Sequence, residues 1–221
     1  MREECVDLLR ALSRSPEPNL CLATLVRLRD ALYDTEGEQS WTSFTQDLLA
    51  NTVLRSRLLA LLGASTALGD HLVTHPTVAR HLDAAVPTFS ASVQHLLQSI
   101  QATPVDATAS ADLTTTGTYR AGITGPDALR AMRSAYRDMM CLVAAADVAH
   151  TVDSAERQAP RRDTSERLTE LAEAALTAAL AVAVATVYPN AGEAPGRLAI
   201  IAMGKCGARA VSYTHLRAHE T

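Results

Sequence analysis

Apolar residues recur at helical intervals over almost the whole of this 221-residue chain, as far as about Tyr188. The pattern predicts helices over residues 5–12 and 20–32, separated at Pro16 and Pro18. Residues 37–43 read as a polar loop. Phe44, Leu48, Leu54, Leu58, Leu61 and Leu62 then mark one long helix that Gly63 closes as a C-terminal glycine. A short helix follows over about 66–74; Pro76 stops it and opens another through Val78 and Leu82. Phe89, Val93, Leu96, Leu97 and Ile100 mark the next stripe. Residues 103–122, rich in Thr, Ala and Asp, read as an exposed loop. Thr124 as N-cap, Pro126 and Asp127 begin a helix carrying Leu129, Met132, Tyr136, Met139, Met140 and Val143 as one face. After a polar connection over 154–162, Asp163-x-x-Glu166 has the form of a capping box, opening a helix through Leu168, Leu171, Leu176 and Val182.

Composition excludes several alternatives. The chain is 48% hydrophobic and 20% charged, which is globular; aromatics are only 4% against 40 alanines, a balance suited to packed helices and not to a β-sandwich. A net charge of −4 gives no electrostatic footprint for nucleic acid or an anionic membrane surface. Cys5, Cys21, Cys141 and Cys206 follow no paired spacing and read as free thiols in a reducing compartment. The opening MREECVDLLR has acids where a signal peptide has bases, so a cytoplasmic protein is expected. The uncharged run over 174–188 is shorter than the roughly 20 residues a bilayer needs and reads as a buried core helix. Nineteen of the 20 basic residues are Arg, with Lys205 the exception, a bias of coding composition that assigns no specific structure to most of them.

At Pro189 the pattern changes. Pro189, Gly192, Pro195 and Gly196 make a turn-rich link, and residues 198–203 (LAIIAM) form a short, fully apolar run with the signature of a buried strand. Gly204-Lys205-Cys206-Gly207 follows at once. Glycines let backbone approach a phosphate, and Lys205 adds a full positive charge, so Gly204, Lys205 and Gly207 are the candidate phosphate- or nucleotide-binding residues. The same residues also fit a plain strand-ending turn, since the spacing matches neither dinucleotide nor P-loop fingerprint. A lone strand cannot satisfy its own edges, so the chain reads as stopping at the start of a second fold. His71 and His75 are four apart, but Pro76 ends their helix and no third ligand is evident; they read as surface or helix-end histidines. The Met132, Met139 and Met140 stripe reads as core. No G-x-S-x-G, H-E-x-x-H or C-x-x-C pair supports a hydrolase, zincin or thioredoxin reading.

Three stretches carry a resemblance: LLALLGASTALGDHLVTHP from Leu58, LRAMRSAYRDMMCLVAAADVAH from Leu129, and RLAIIAMGKCGAR from Arg197 to Arg209. They resemble the bifunctional glutamine synthetase adenylyltransferases, or adenylyl-removing enzymes, of actinobacteria. The resemblance implies two nucleotidyltransferase domains of the DNA-polymerase-β type in a full-length member. One would remove AMP from a tyrosine of glutamine synthetase by phosphorolysis, the other attach it from ATP. Mg²⁺, ATP and phosphate are the implied cofactors, and glutamine synthetase and a PII-type nitrogen signal protein the implied partners.

Residue by residue, the family pattern G-K-C-G-G-R-E-L-N-Y carries over onto Gly204, Lys205, Cys206, Gly207 and Arg209. Ala208 stands for the second glycine, Ala210 for the glutamate and Val211 for the leucine. Leu216 and Ala218 occupy the positions of the two metal-holding aspartates of S-D-x-D, and their side chains cannot coordinate Mg²⁺. No catalytic or metal-binding residue is therefore assigned, and no Mg²⁺ or nucleotide is expected to bind well. The tail VSYTHLRAHET reads as non-native sequence, so His215 and His219 receive no metal role.

The expected fold is mainly α: a helical lead-in over 1–188, the first strand and glycine loop of a nucleotidyltransferase domain over 189–210, and a non-native tail over 211–221. The expected function is that of a fragment of the regulatory adenylylating and deadenylylating enzyme, inactive by itself. The alternative is a free-standing helical protein-binding module without nucleotide chemistry.

Overall fold

The computed structural model describes residues 2–105, 109–114, 117–155, 161–188 and 198–213. Among them the chain is mainly helical, with ten α-helices and one two-stranded antiparallel ribbon. It divides into two compact units. One comprises Met1–Val86 and Cys141–Ala159, the other Pro87–Met140 and Pro160–Thr221.

The first unit packs its helices round two of them, Pro18–Glu36 and Thr52–Ala64. α1 spans Arg2–Ser13 and α2 Pro18–Glu36, with Pro18 at its first turn, where a missing N–H does no harm. Gly37, at φ +83°, is the whole of the break before α3 (Glu38–Ala50), so the polar loop expected over 37–43 is mostly helix. The helix expected over 44–62 is two. Asn51 leaves helical geometry and its side chain accepts from the Leu54 N–H, capping α4 (Thr52–Ala64). Arg55 donates to the Leu48 and Leu49 carbonyls that this break exposes, at 3.2 and 3.1 Å. Gly63 is not a terminator either. It lies inside α4, where a Cβ would come within 3.1–3.2 Å of Ser15, Pro16 and Glu17; the glycine lets the α1–α2 link pack on the helix.

α4 is buried on all sides. Leu58, Leu59, Ala60, Leu61 and Leu62 are inaccessible, packed by α1, α2, α3 and α5 (Thr66–Thr74). α5 is capped by Ser65, whose hydroxyl accepts from the Leu68 N–H. It ends at His75, and α6 (Pro76–Ala79) starts at Pro76 as the sequence implies but stops short of Leu82, which lies in the turn that follows. His71 and His75 both lie at the end of α5, the second of the two places expected for them; His71 is buried, at 5% exposure, and its ring packs 4.4 Å from that of His75. Arginines do specific work here, contrary to the expectation from composition. Arg57 donates to the Leu82 and Ala84 carbonyls at 2.9 and 2.7 Å. Arg80 lies over the Phe44 ring and pairs with Glu36 at 3.1 Å. The Ser40 hydroxyl and Arg80 together hold the Glu36 carboxyl below its ordinary pKa.

None of the four cysteines is in a disulfide; Cys21 and Cys141 are buried and Cys5 is exposed. Cys21 Sγ contacts the Leu59 carbonyl at 3.3 Å, and burial pushes its thiol up to about 11. Iodoacetamide under native conditions is expected to label Cys5 quickly and Cys21 and Cys141 only on unfolding, as peptide mass spectrometry would show. The Cys21 shift also has a sign. A thiol that holds its proton more tightly folded than unfolded contributes stability below pH 9, lost as pH rises toward about 11. Cys21→Ser is expected to flatten the alkaline arm of a stability–pH profile.

In the second unit α7 (Phe89–Ser99) presents Val93, Leu96 and Leu97 to α9 (Arg161–Val187). Thr88 caps α7. The segment expected as an open loop over 103–122 contains the ribbon, β1 (Thr103–Pro104) against β2 (Tyr119–Arg120). Tyr119 is buried, its hydroxyl donating to the Ser110 carbonyl at 3.3 Å, and the Ala121 N–H donates to the Ala181 carbonyl at 3.1 Å. α8 (Gly125–Val148) begins as read, with Asp127 in its first turn. Its buried face runs through Ala128, Ala135 and Met140, however, and leaves Leu129 exposed. Tyr136 is desolvated enough for its hydroxyl to rise to about 12. Of the methionine stripe only Met140 is fully buried.

α9 begins at Arg161, before the capping box read at Asp163, which lies in its first turn. By length and composition its segment Arg162–Val187 could cross a membrane, which the shorter apolar run over 174–188 did not suggest. In this fold it buries a stripe through Leu168, Leu171, Ala174, Ala178, Ala181 and Val184. Leu176 and Val187 stay exposed, so the buried core helix expected over 174–188 is buried on one face only.

Candidate functional site

The candidate site follows residues 189–197, which lie outside the described set. Residues 198–203 were expected as a buried strand. They are irregular, and Leu198, Ile201 and Met203 are 66, 83 and 83% exposed. A strand exists only where another strand accepts its ladder, and among the described residues none pairs with this run. The expectation of a buried strand is therefore corrected: the run is apolar in composition but exposed, with no strand beside it among the described residues.

Gly204, Lys205, Cys206 and Gly207 come together as a single helical turn, α10 (Gly204–Gly207), where the sequence suggested a glycine loop or a plain strand-ending turn. Each glycine suits its place in the backbone. Gly204 has φ +58°, the left-handed region where a Cβ is unfavourable. At Gly207 a Cβ would stand 2.5 Å from the Ala202 carbonyl oxygen. The turn closes with the Arg209 N–H on the Cys206 carbonyl at 3.1 Å and the Ala210 N–H on the Lys205 carbonyl at 2.8 Å. This is the paired bonding of a Schellman cap, with Arg209 at the left-handed position, φ +51°. Lys205 is exposed and forms no ion pair among the described residues, so its ammonium is available to an anion. Cys206 is half-buried.

Sequence reasoning gave Glu166 a capping role and Arg209 none beyond its place in the motif. In the fold they meet. Glu166, Glu170 and Glu173 share one face of α9, and the Arg209 guanidinium lies 3.0, 4.0 and 3.6 Å from their carboxylates. The Glu166 hydrogen bond and the Glu173 charge hold the guanidinium proton more tightly than usual. The detectable signal was the acid spacing on a predicted helix face. Beside the contact a shallow cleft is lined by Arg162, Ser165 and Glu166 of α9 and by residues 207–210.

These residues do not make a magnesium site. The carboxylates nearest the turn are engaged by Arg209, and no group of three or more His, Cys, Asp or Glu among the described residues could hold a metal. His71 and His75 belong to no such group. Leu216 and Ala218, and with them His215 and His219, lie outside the described residues.

Fold and site together define a helical protein that presents one glycine turn with one exposed lysine. Comparison with known proteins narrows this class. The profile of the glutamate-ammonia ligase adenylyltransferase family matches residues 55–215, and the chain belongs to that family. It is similar to the bifunctional glutamine synthetase adenylyltransferase/adenylyl-removing enzyme of Nocardia farcinica, at 46% identity over 95% of this chain and 20% of that protein. The enzymes of the same name from Corynebacterium efficiens (42% identity, 95% of this chain, 22% of that protein) and Mycolicibacterium smegmatis (41%, 96% and 19%) are similar to it as well. The chain thus spans about one fifth of the length of these relatives. No solved structure matches it.

Proposed function

We propose that this chain supplies the helical lead-in and the first phosphate-binding turn of a nucleotidyltransferase domain of the polymerase-β type. The domain would be the adenylyl-removing half of a glutamine synthetase adenylyltransferase. The observation that carries the reading is the stretch RLAIIAMGKCGAR: a left-handed Gly204 and a Gly207 with no room for a Cβ flank an exposed lysine, at the end of an apolar run that pairs with no strand among the described residues. Family membership supports the reaction proposed for the longer enzyme, transfer of an adenylyl group to and from a tyrosine of glutamine synthetase.

In this reading Lys205 contributes charge to the phosphate. Gly204 and Gly207 let the backbone come close enough for N–H groups to meet phosphate oxygens. In such a transferase Mg²⁺ neutralises the charge that develops on the transferring phosphoryl group. No group of acids among the described residues is arranged to hold that ion, so in this reading the chain by itself binds the anion weakly and leaves the reaction unassisted. ATP, phosphate and Mg²⁺ are ligands of the longer enzyme, glutamine synthetase its substrate and a PII-type protein its regulator, in the cytoplasm. Nucleic acid and membrane are not partners.

The purified chain, given adenylylated glutamine synthetase with phosphate and Mg²⁺, is expected to release no adenylyl group above the rate without protein, followed by intact mass of the substrate. Measurable turnover would refute the reading of this chain as catalytically incomplete.

A further inference from the structure

We infer that Arg209 is a positioning residue, which holds the Gly204–Gly207 turn on α9 and masks the acidic face of that helix beside the candidate phosphate site. Two observations that pull in opposite directions support this. The backbone at Arg209 is left-handed, at φ +51°, and closes a Schellman cap, a position that favours glycine or asparagine. The side chain nevertheless reaches a helix 43 residues upstream and meets three carboxylates there, of Glu166, Glu170 and Glu173. An arginine held in a seat built for glycine is explained by what its side chain does.

Each ion pair here is at least partly exposed and weak by itself. Their combination is more than a sum of surface pairs, because one planar guanidinium spans carboxylates from two successive turns of α9, and Arg167 pairs with Glu170 at 2.9 Å from the same helix. Two consequences follow. The turn is tied to α9 by a side chain as well as by its own backbone. Glu166, which lines the cleft, is neutralised where an incoming anion would otherwise meet bare negative charge. This second role rests on the reading of the turn as a phosphate site; the first does not.

The test therefore uses the full chain without ligand. Peptide-resolved hydrogen exchange at residues 207–210 and alkylation of Cys206 are followed in Arg209→Ala, Arg209→Gly, Arg209→Lys and the triple variant Glu166→Gln/Glu170→Gln/Glu173→Gln. Arg209→Ala and the triple variant are expected to speed both processes roughly three- to tenfold, and Arg209→Lys to restore part of the protection. In 1 M salt the native chain is expected to approach Arg209→Ala, since screening acts only where the ion pairs exist. Arg209→Gly decides the matter. It removes the side chain while relieving the backbone, so a clamp predicts faster exchange and a mere cap predicts slower exchange. Protection in Arg209→Gly equal to or above that of the native chain would overturn the inference, as would a triple variant indistinguishable from native. Because no phosphate is present, these outcomes stand whether or not the turn binds an anion.

Discussion

Leu59→Ala is expected to lower the unfolding free energy of the chain by about 2–5 kcal/mol. Leu59 is inaccessible and sits at the centre of α4, the one helix here whose five consecutive residues from Leu58 to Leu62 are all buried. Truncation removes the transfer free energy of three carbons and leaves a cavity. The surrounding α1, α2, α3 and α5 are tied together by their own packing and cannot all close in on it. The Leu59 carbonyl also accepts from Cys21 Sγ, so a shift of α4 disturbs a second buried group. Against the 5–15 kcal/mol typical of whole domains, that loss is a large share. Urea denaturation followed by fluorescence of Trp41, the chain's one tryptophan, reads the unit concerned, since Trp41 lies 6.1 Å from the buried Phe44. Leu59→Met should cost under about 1.5 kcal/mol, and Leu129→Ala, at an exposed position, within about 0.5 kcal/mol of zero. Equal effects at Leu59 and Leu129 would contradict the placement of α4.

Gly207→Val is expected to open the glycine turn while leaving the helices intact. A Cβ at this position would stand 2.5 Å from the Ala202 carbonyl oxygen and 3.1 Å from its carbon, and both are backbone atoms that cannot rotate aside. Relief requires the backbone at 202 or 207 to move, at about 1–3 kcal/mol for overpacking of this kind. The bonds that close the turn, from Ala208 to Gly204, Arg209 to Cys206 and Ala210 to Lys205, are the first to be lost. Their amides should exchange about tenfold faster or more, with far-ultraviolet circular dichroism unchanged. Gly204→Ala meets no atom within 4 Å and suffers only the left-handed backbone, about 1 kcal/mol, so its effect should be the smaller. The reverse order would mean that the close approach to Ala202 is not part of the native turn.

Much of the helical layout was legible because it is a local property. α5, α7 and the start of α8 stand where apolar periodicity and capping residues put them. The errors share one cause, that a burial pattern is decided by neighbours. Leu129 continues the stripe of α8 by spacing yet faces outward. Asn51 interrupts a run whose apolar positions continue on both sides, because its side chain caps a new helix. Gly63 looked like a terminator and is a packing contact with residues distant in sequence. The run over 198–203 has the right composition for a strand, but a strand is a property of a sheet, and composition cannot supply the other members. At the site the two glycines and Lys205 were legible as a motif. Its attachment was not: Arg209 and Glu166 are 43 residues apart, and only the fold brings them within 3.0 Å.

The central proposal is that Gly204–Gly207 is the phosphate-binding turn of a nucleotidyltransferase site and that this chain does not catalyse the transfer by itself. The most direct measurement joins residues 1–209 to the sequence that continues from the matching arginine in the Nocardia farcinica relative. Phosphate-dependent deadenylylation of glutamine synthetase is then assayed for the fusion and for the native chain. The fusion is expected to release the adenylyl group, to need Mg²⁺ for it, and to lose most of that activity on Lys205→Ala; the native chain is expected to release none. Release by the native chain, or a folded fusion that stays inert beside an active Nocardia enzyme, would contradict the account.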